Sequence, residues 1–202
     1  MYRSLLCITA FAILFGTQDA HADGVPVIGE MKLYAGDSAP KGWTFCHGQE
    51  LSIESNEYLF YTLHNRFGGD GRAIFGLPDL RKFERLLGKT TGNKFRYIIA
   101  FTGTFPFKRE KAVDSIGEIR IFAGRPQFLP TNWRFCEGQK LSPKLYPALA
   151  HILRDKDKRP LYGSVGQLPD LRNVEQRMRE VTGMKHVPRF AIVVDGVYPR
   201  QK

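Results

Sequence analysis

Apolar and polar positions alternate most clearly over residues 28–35, where Ile28, Glu30, Lys32 and Tyr34 face one way and Gly29, Met31, Leu33 and Ala35 the other. The pattern returns further on, with Ile119, Ile121 and Ala123 on one face and Glu118, Arg120 and Phe122 on the other. Period two with β-branched and aromatic residues predicts a half-buried strand in each place. Short second strands are expected at residues 43–47 and 133–137, closed by Gly48 and Gly138, which suit tight turns with positive φ. A helix follows each. Asn56 offers a cap, Glu57 sits in the first turn, and Leu59, Leu63 and Phe67 recur at helical spacing with Phe60 beside them. In the second stretch Pro147 suits the first helical position, and Leu149 and Leu153 match Leu59 and Leu63, with Ile152 alongside. Both leucine stripes read as core. Residues 97–101 and 190–194 close each stretch as β-rich segments.

The recurrence extends beyond hydropathy. Residues 28–36 return at 116–124, and a Trp-Xaa-Phe-Cys-Xaa-Gly-Gln block at Trp43 returns at Trp133. Leu77-Pro-Asp-Leu-Arg81 returns as Leu168-Pro-Asp-Leu-Arg172, and the segment from Arg96 to Pro106 as that from Arg189 to Pro199. Four blocks in one order, with offsets drifting only from 88 to 93, mark a duplicated unit. That period is far above the roughly 20–50 residues of solenoid repeats. The expectation is therefore an α+β, β-rich chain of two tandem repeats, each of short strands with one helix and long loops. The first domain is placed at 23–107, a linker at 108–115 and the second domain at 116–202. The copies diverge after the helix, where the first runs through Gly68-Gly-Asp-Gly-Arg72 and the second through the charged Arg154-Asp-Lys-Asp-Lys-Arg159.

Together these blocks resemble the phage tail collar domain family, most closely its bacterial branch labelled microcystin-dependent proteins. The resemblance rests on Gly29-Glu30, Ala35-Gly36, Gly42-Trp43, Cys46-His47-Gly48-Gln49, the stretch from Gly68 to Arg72, and the stretch from Leu77 to Arg81. It is clear over residues 28–106 and looser over 116–199, where the glycine-rich stretch is missing and Asn132 replaces Gly42. It implies a small β-rich fold of a tail-fibre accessory kind, with no established enzyme activity.

Residues 1–22 read as a secretory signal peptide: a basic start at Arg3, an apolar run and Ala20-His21-Ala22 as the cleavage site. A periplasmic or extracellular protein follows, with no transmembrane segment expected after cleavage. The net charge of +10 owes nothing to that leader, since Arg3 and Asp19 cancel. In an exported protein this balance suits anionic glycans or lipopolysaccharide, with no specific nucleic acid expected. Cys46 and Cys136 occupy equivalent positions and read as two separate buried thiols rather than a disulfide.

No catalytic constellation, cofactor motif or metal-ligand spacing is apparent around His47, His64, His151 or His186. Asp79 and Asp170, each between Pro and a nearby Arg, read as structural turns. Gly69, Asp70, Gly71 and Arg72 are the candidate ligand or subunit contact, in a turn-rich loop. Tyr34, Trp43, Phe122 and Trp133 are expected to pack in the core. The functional expectation is an exported, non-enzymatic binding or adhesive module for an anionic envelope component. The alternative is a structural subunit of an extracellular fibre or tail-like assembly, through self-association or contact with another envelope protein.

Overall fold

A computed structural model describes residues 25–106 and 114–199. The expected leader, most of the linker and the last three residues lie outside them. The first copy runs β1 (Glu30–Tyr34), β2 (Trp43–Phe45), β3 (Glu50–Ser52), α1 (Glu57–Leu63), β4 (Ile74–Gly76), α2 (Arg81–Thr91) and β5 (Arg96–Ala100). The second runs β6 (Ile119–Phe122), a 3-10 turn at Pro126–Phe128, β7 (Trp133–Phe135), α3 (Pro147–Ile152), α4 (Arg172–Thr182) and β8 (Arg189–Val193). The fold is α+β and strand-rich.

Six strands form one antiparallel sheet in the order β2-β5-β1-β6-β8-β7, while β3 and β4 pair separately. The order is the same from either end, so the copies are related by a pseudo-two-fold axis through the β1–β6 seam. There Glu30 lies opposite Phe122 and Met31 opposite Ile121. The first core gathers Met31, Leu59, Leu63, Phe75, Phe83 and Ile99, and also takes in Met178 and Val187 from the second copy. The second core forms around Cys136, Leu149, Leu168 and Ile192. On the opposite sheet face Phe122, Phe128, Trp133 and Val193 pack together with Val27 of the first copy.

Three expectations change. Each copy has a second helix, α2 or α4, where only one was expected: α2 packs Phe83, Leu86 and Leu87, and α4 packs Met178 and Val181, against the first core. Their ends obey local chemistry, since Gly92 and Gly183 close them in the left-handed conformation and donate to the Gly88 and Arg179 carbonyls. Next, α1 stops at Leu63, where His64 adopts φ 57°, so His64 and Phe67 lie beyond the helix. Asn56 makes no side-chain cap bond and donates instead to the Ser52 carbonyl at 3.0 Å. Finally, Ile119 is 43% exposed while Arg120 is 7% exposed and Glu30 fully buried. The predicted faces fail at this seam because the polar face is buried and filled by an ion pair, while the apolar face is open at Ile119. Of the aromatics expected in the core, Phe122 and Trp133 are buried, whereas Tyr34 and Trp43 are only half-buried.

Candidate functional site

The repeated motifs build a scaffold, and its chemistry is the same twice over. Gly48 and Gly138 adopt φ of 72° and 73°. A Cβ there would lie 2.9 Å from the Asp79 Cβ and 3.2 Å from the Asp170 Cβ, so the two motifs meet only because glycine lets the backbones approach. Leu80 and Leu171 donate to the Cys46 and Cys136 carbonyls, both at 2.9 Å. Gln49 and Gln139 accept from the residue two before them, at 3.1 Å each, and donate to the Phe45 and Phe135 carbonyls. Asp79 and Asp170 each accept a forked pair of bonds from Arg81 or Arg172 and one from that arginine's own N–H, at the mouth of α2 or α4. The Arg81 guanidinium holds the Asp79 carboxyl below its usual range, and Arg172 holds Asp170 at about 2.

The second helices contribute one further repeated contact. Glu84 accepts the Tyr97 N–H at 2.7 Å and Glu175 the Phe190 N–H at 3.0 Å, tying each helix to β5 or β8. Burial raises both carboxyl pKa values, partly offset by those N–H groups. His47 approaches Glu84 at 3.8 Å and stacks on Phe45, forming a small acid–base pair without a neighbouring nucleophile among the described residues. Cys46 and Cys136 are both buried and unpaired. Burial pushes the Cys46 thiol well above its ordinary value and the Cys136 thiol up to about 12, so neither is a ready thiolate.

In the glycine-rich loop, Asp70 Oδ1 accepts the N–H groups of Arg72, Ala73 and Ile74 at 2.8, 2.8 and 3.0 Å. These bonds, that of Ile74 foremost, lower its pKa. Gly69 has φ 83°, and a Cβ there would meet the Phe75 Cα at 2.4 Å. Gly71 has φ 66° and Arg72 is exposed. The loop brings no second carboxylate to Asp70, and among the described residues no three His, Cys, Asp or Glu side chains group to hold a metal.

The second copy replaces this loop with a small hairpin in which Arg154 faces Pro160. A cleft of about 600 Å³ opens between this hairpin, the end of α3 and the C-terminal segment, lined by His151, Arg154, Asp155, Lys156, Lys158 and Tyr198. Among the described lining residues the only carboxylate is Asp155, and it is engaged within the turn: Oδ1 accepts the Asp157 and Arg159 N–H groups and Oδ2 the Arg159 Nε, at 2.8–2.9 Å. Arg159 thereby holds the Asp155 carboxyl below its usual range. Lys158 is fixed at φ 64° by the same turn. Arg154 Nε is buried with no hydrogen-bond partner, and the His151 ring and the Tyr198 hydroxyl meet at 2.7 Å across the rim. The arrangement can take up an anion. The sequence showed this charge run, but alternating signs disguised it: that Asp155 and Asp157 are both taken by Arg159, leaving Lys156 and Lys158 uncompensated, emerges only from the turn geometry.

No helix among the described residues is long and apolar enough to cross a membrane. No curated protein and no solved structure matches the chain. The model of the phage tail collar domain matches residues 29–83 and again residues 117–175, together more than half of the chain. Those segments hold the Gly-Gln and Leu-Pro-Asp-Leu-Arg contacts in both copies, and the chain belongs to the phage tail collar domain family.

Proposed function

We propose that this protein is exported and works by binding rather than catalysis, holding an anionic envelope component, such as lipopolysaccharide or an acidic glycan, in the basic cleft beside α3. The observation that carries this reading is the turn geometry that engages Asp155, the one carboxylate among the described lining residues, with Arg159 and leaves Lys156 and Lys158 lining the cleft beside Arg154. The family match supports a tail-fibre-like structural module as the frame for such binding. Titration of the full chain with lipopolysaccharide at rising salt tests it. Binding should weaken with salt and fall roughly tenfold in Arg154→Ala and in the Lys156→Ala/Lys158→Ala pair. Binding indifferent to those substitutions would refute the assignment.

A second reading, a subunit of an extracellular fibre, draws on Leu33 and Ile119, which are 50% and 43% exposed on one sheet face beside the seam. The turn at Gly69, Asp70, Gly71 and Arg72 is its other candidate contact. It requires a mass that grows with concentration at both low and high salt, which light scattering reads directly.

A further inference from the structure

A second surface, independent of the basic cleft, lies where the two copies meet. Tyr58 and Tyr61 stand one turn apart on α1 and are 65% and 56% exposed. Phe105 packs against both, with ring centroids 5.7 and 5.8 Å away and planes tilted by 52° and 50°. Phe128, from the 3-10 turn of the second copy, lies 5.1 Å from Tyr61 and 6.1 Å from Phe105. Phe128 is buried and forms the floor of an aromatic corner, while the two tyrosines and Phe105 form its walls. Arg125 lies 4.6 Å over Phe128, donates to the Tyr61 carbonyl at 2.8 Å and keeps a buried Nε without a partner. Glu57 stands at the lip of a cleft of about 310 Å³ walled by Tyr58, Tyr61 and Phe105. On the other side of Tyr58 and Phe105 a second cleft of about 290 Å³ is bordered by Ile28 and Thr104.

We infer that this corner is a carbohydrate-binding platform that takes a neutral pyranose ring of a glycan. The apolar C–H face of a sugar ring suits the electron-rich face of a tyrosine, and its equatorial hydroxyls suit a carboxylate acceptor such as Glu57. Rings tilted by 50–59° enclose a corner rather than a parallel slot, which fits a puckered sugar better than a flat nucleobase. Glu57 at the lip and Arg125 over Phe128 give the corner one charge of each sign, unlike the basic cleft, which suits an uncharged ligand there. Two adjoining clefts near 300 Å³ are at the small-ligand end of known pockets, whereas a stable protein partner needs about 1,200 Å² or more of buried surface.

The experiment is ligand-observed NMR on the full chain with a panel of uncharged tetrasaccharides built from hexoses and N-acetylhexosamines. Tyr58→Ala and Tyr61→Ala are compared with the unaltered chain, and melting curves confirm that each variant folds. At least one tetrasaccharide should bind with an affinity unchanged by salt, roughly tenfold weaker in each tyrosine variant. The Lys156→Ala/Lys158→Ala chain should bind it normally, so failure of the anion reading leaves this result interpretable. No binding across the panel, or binding that survives both tyrosine substitutions, overturns the proposal. So does a Tyr58-dependent affinity for a single-stranded oligonucleotide or for a second copy of the chain in place of sugar.

Discussion

Glu30 of the first copy and Arg120 of the second form a buried ion pair across the β1–β6 seam, with side chains 0% and 7% exposed. Glu30 also accepts the Val27 N–H at 3.1 Å, while Arg120 reaches Glu118 at 2.6 Å and Asp114 at 3.6 Å. Burial alone would lower the Arg120 pKa, but the Glu30 and Glu118 carboxylates raise it. Arg120 is the counterpart of Lys32 in the other copy, so duplication placed a second cation at the axis and burial selected the guanidinium, which can serve three carboxylates at once.

Removing one member of this pair should therefore cost far more than removing both. Arg120→Met leaves the buried Glu30 with only the more distant Lys32, at 3.9 Å, in place of the guanidinium and should destabilise the protein by about 3–5 kcal/mol. The double variant Glu30→Met/Arg120→Met should recover much of that loss. Urea unfolding of the single and double variants measures the difference.

Close approach at the motif junction is equally testable. Gly48→Ala forces a Cβ to within 2.9 Å of Asp79 at φ 72°, whereas Gly92→Ala meets a similar φ of 71° with open space around it. Gly48→Ala should cost about 1–3 kcal/mol and Gly92→Ala visibly less. Equal losses would assign the whole effect to backbone conformation.

The strand pairs, the α1 and α3 stripes and the duplication were legible because each follows a local period. The α2 and α4 helices were harder to read: Phe83, Leu86 and Leu87 in one and Met178 and Val181 in the other form short stripes, set among charged residues directly after a Pro-Asp turn. Asp79, Asp170, Gly92 and Gly183 mark their ends locally, but a Pro-Asp pair reads as a turn as readily as a helix start. The seam was illegible for a different reason: Arg120 is polar by type yet buried by a partner 90 residues away. The aromatic corner was hidden likewise, because Tyr58, Phe105 and Phe128 come together only through the pairing of the copies.

The carboxylates make opposing contributions to pH dependence. Glu84 and Glu175 have raised pKa values, so the stability tied to their protonated forms is complete below the ordinary value of 4.5 and is lost as pH rises through the folded-state value. Asp170 is lowered, so its contribution is complete above the ordinary 3.8 and is lost as pH falls through about 2. Glu84→Gln should flatten the decline of stability as pH rises above the ordinary 4.5, and Asp170→Asn should soften the acid limb below about pH 4. Denaturation midpoints across pH distinguish the two.

The thiols of Cys46 and Cys136 should be silent in the folded protein. Cys46 and Cys136 are fully buried, and burial disfavours their thiolates. A thiol reagent such as dithionitrobenzoate should label neither at pH 8 until denaturant is added, and should then label both. Labelling of either one without denaturant would contradict the packing described.

Everything assigned to the junction depends on the two copies being one folded body, and the chain carries its own reporters. Its two tryptophans are Trp43 in the first copy and Trp133, bonded to Asp114 at 2.9 Å, in the second. The most direct measurement is urea unfolding of Trp43→Phe and Trp133→Phe, each followed by the remaining tryptophan's fluorescence and by far-UV circular dichroism. A shared six-stranded sheet predicts that, within each variant, the two signals trace a single coincident transition. Fluorescence that leaves one copy folded while the other has melted would contradict it.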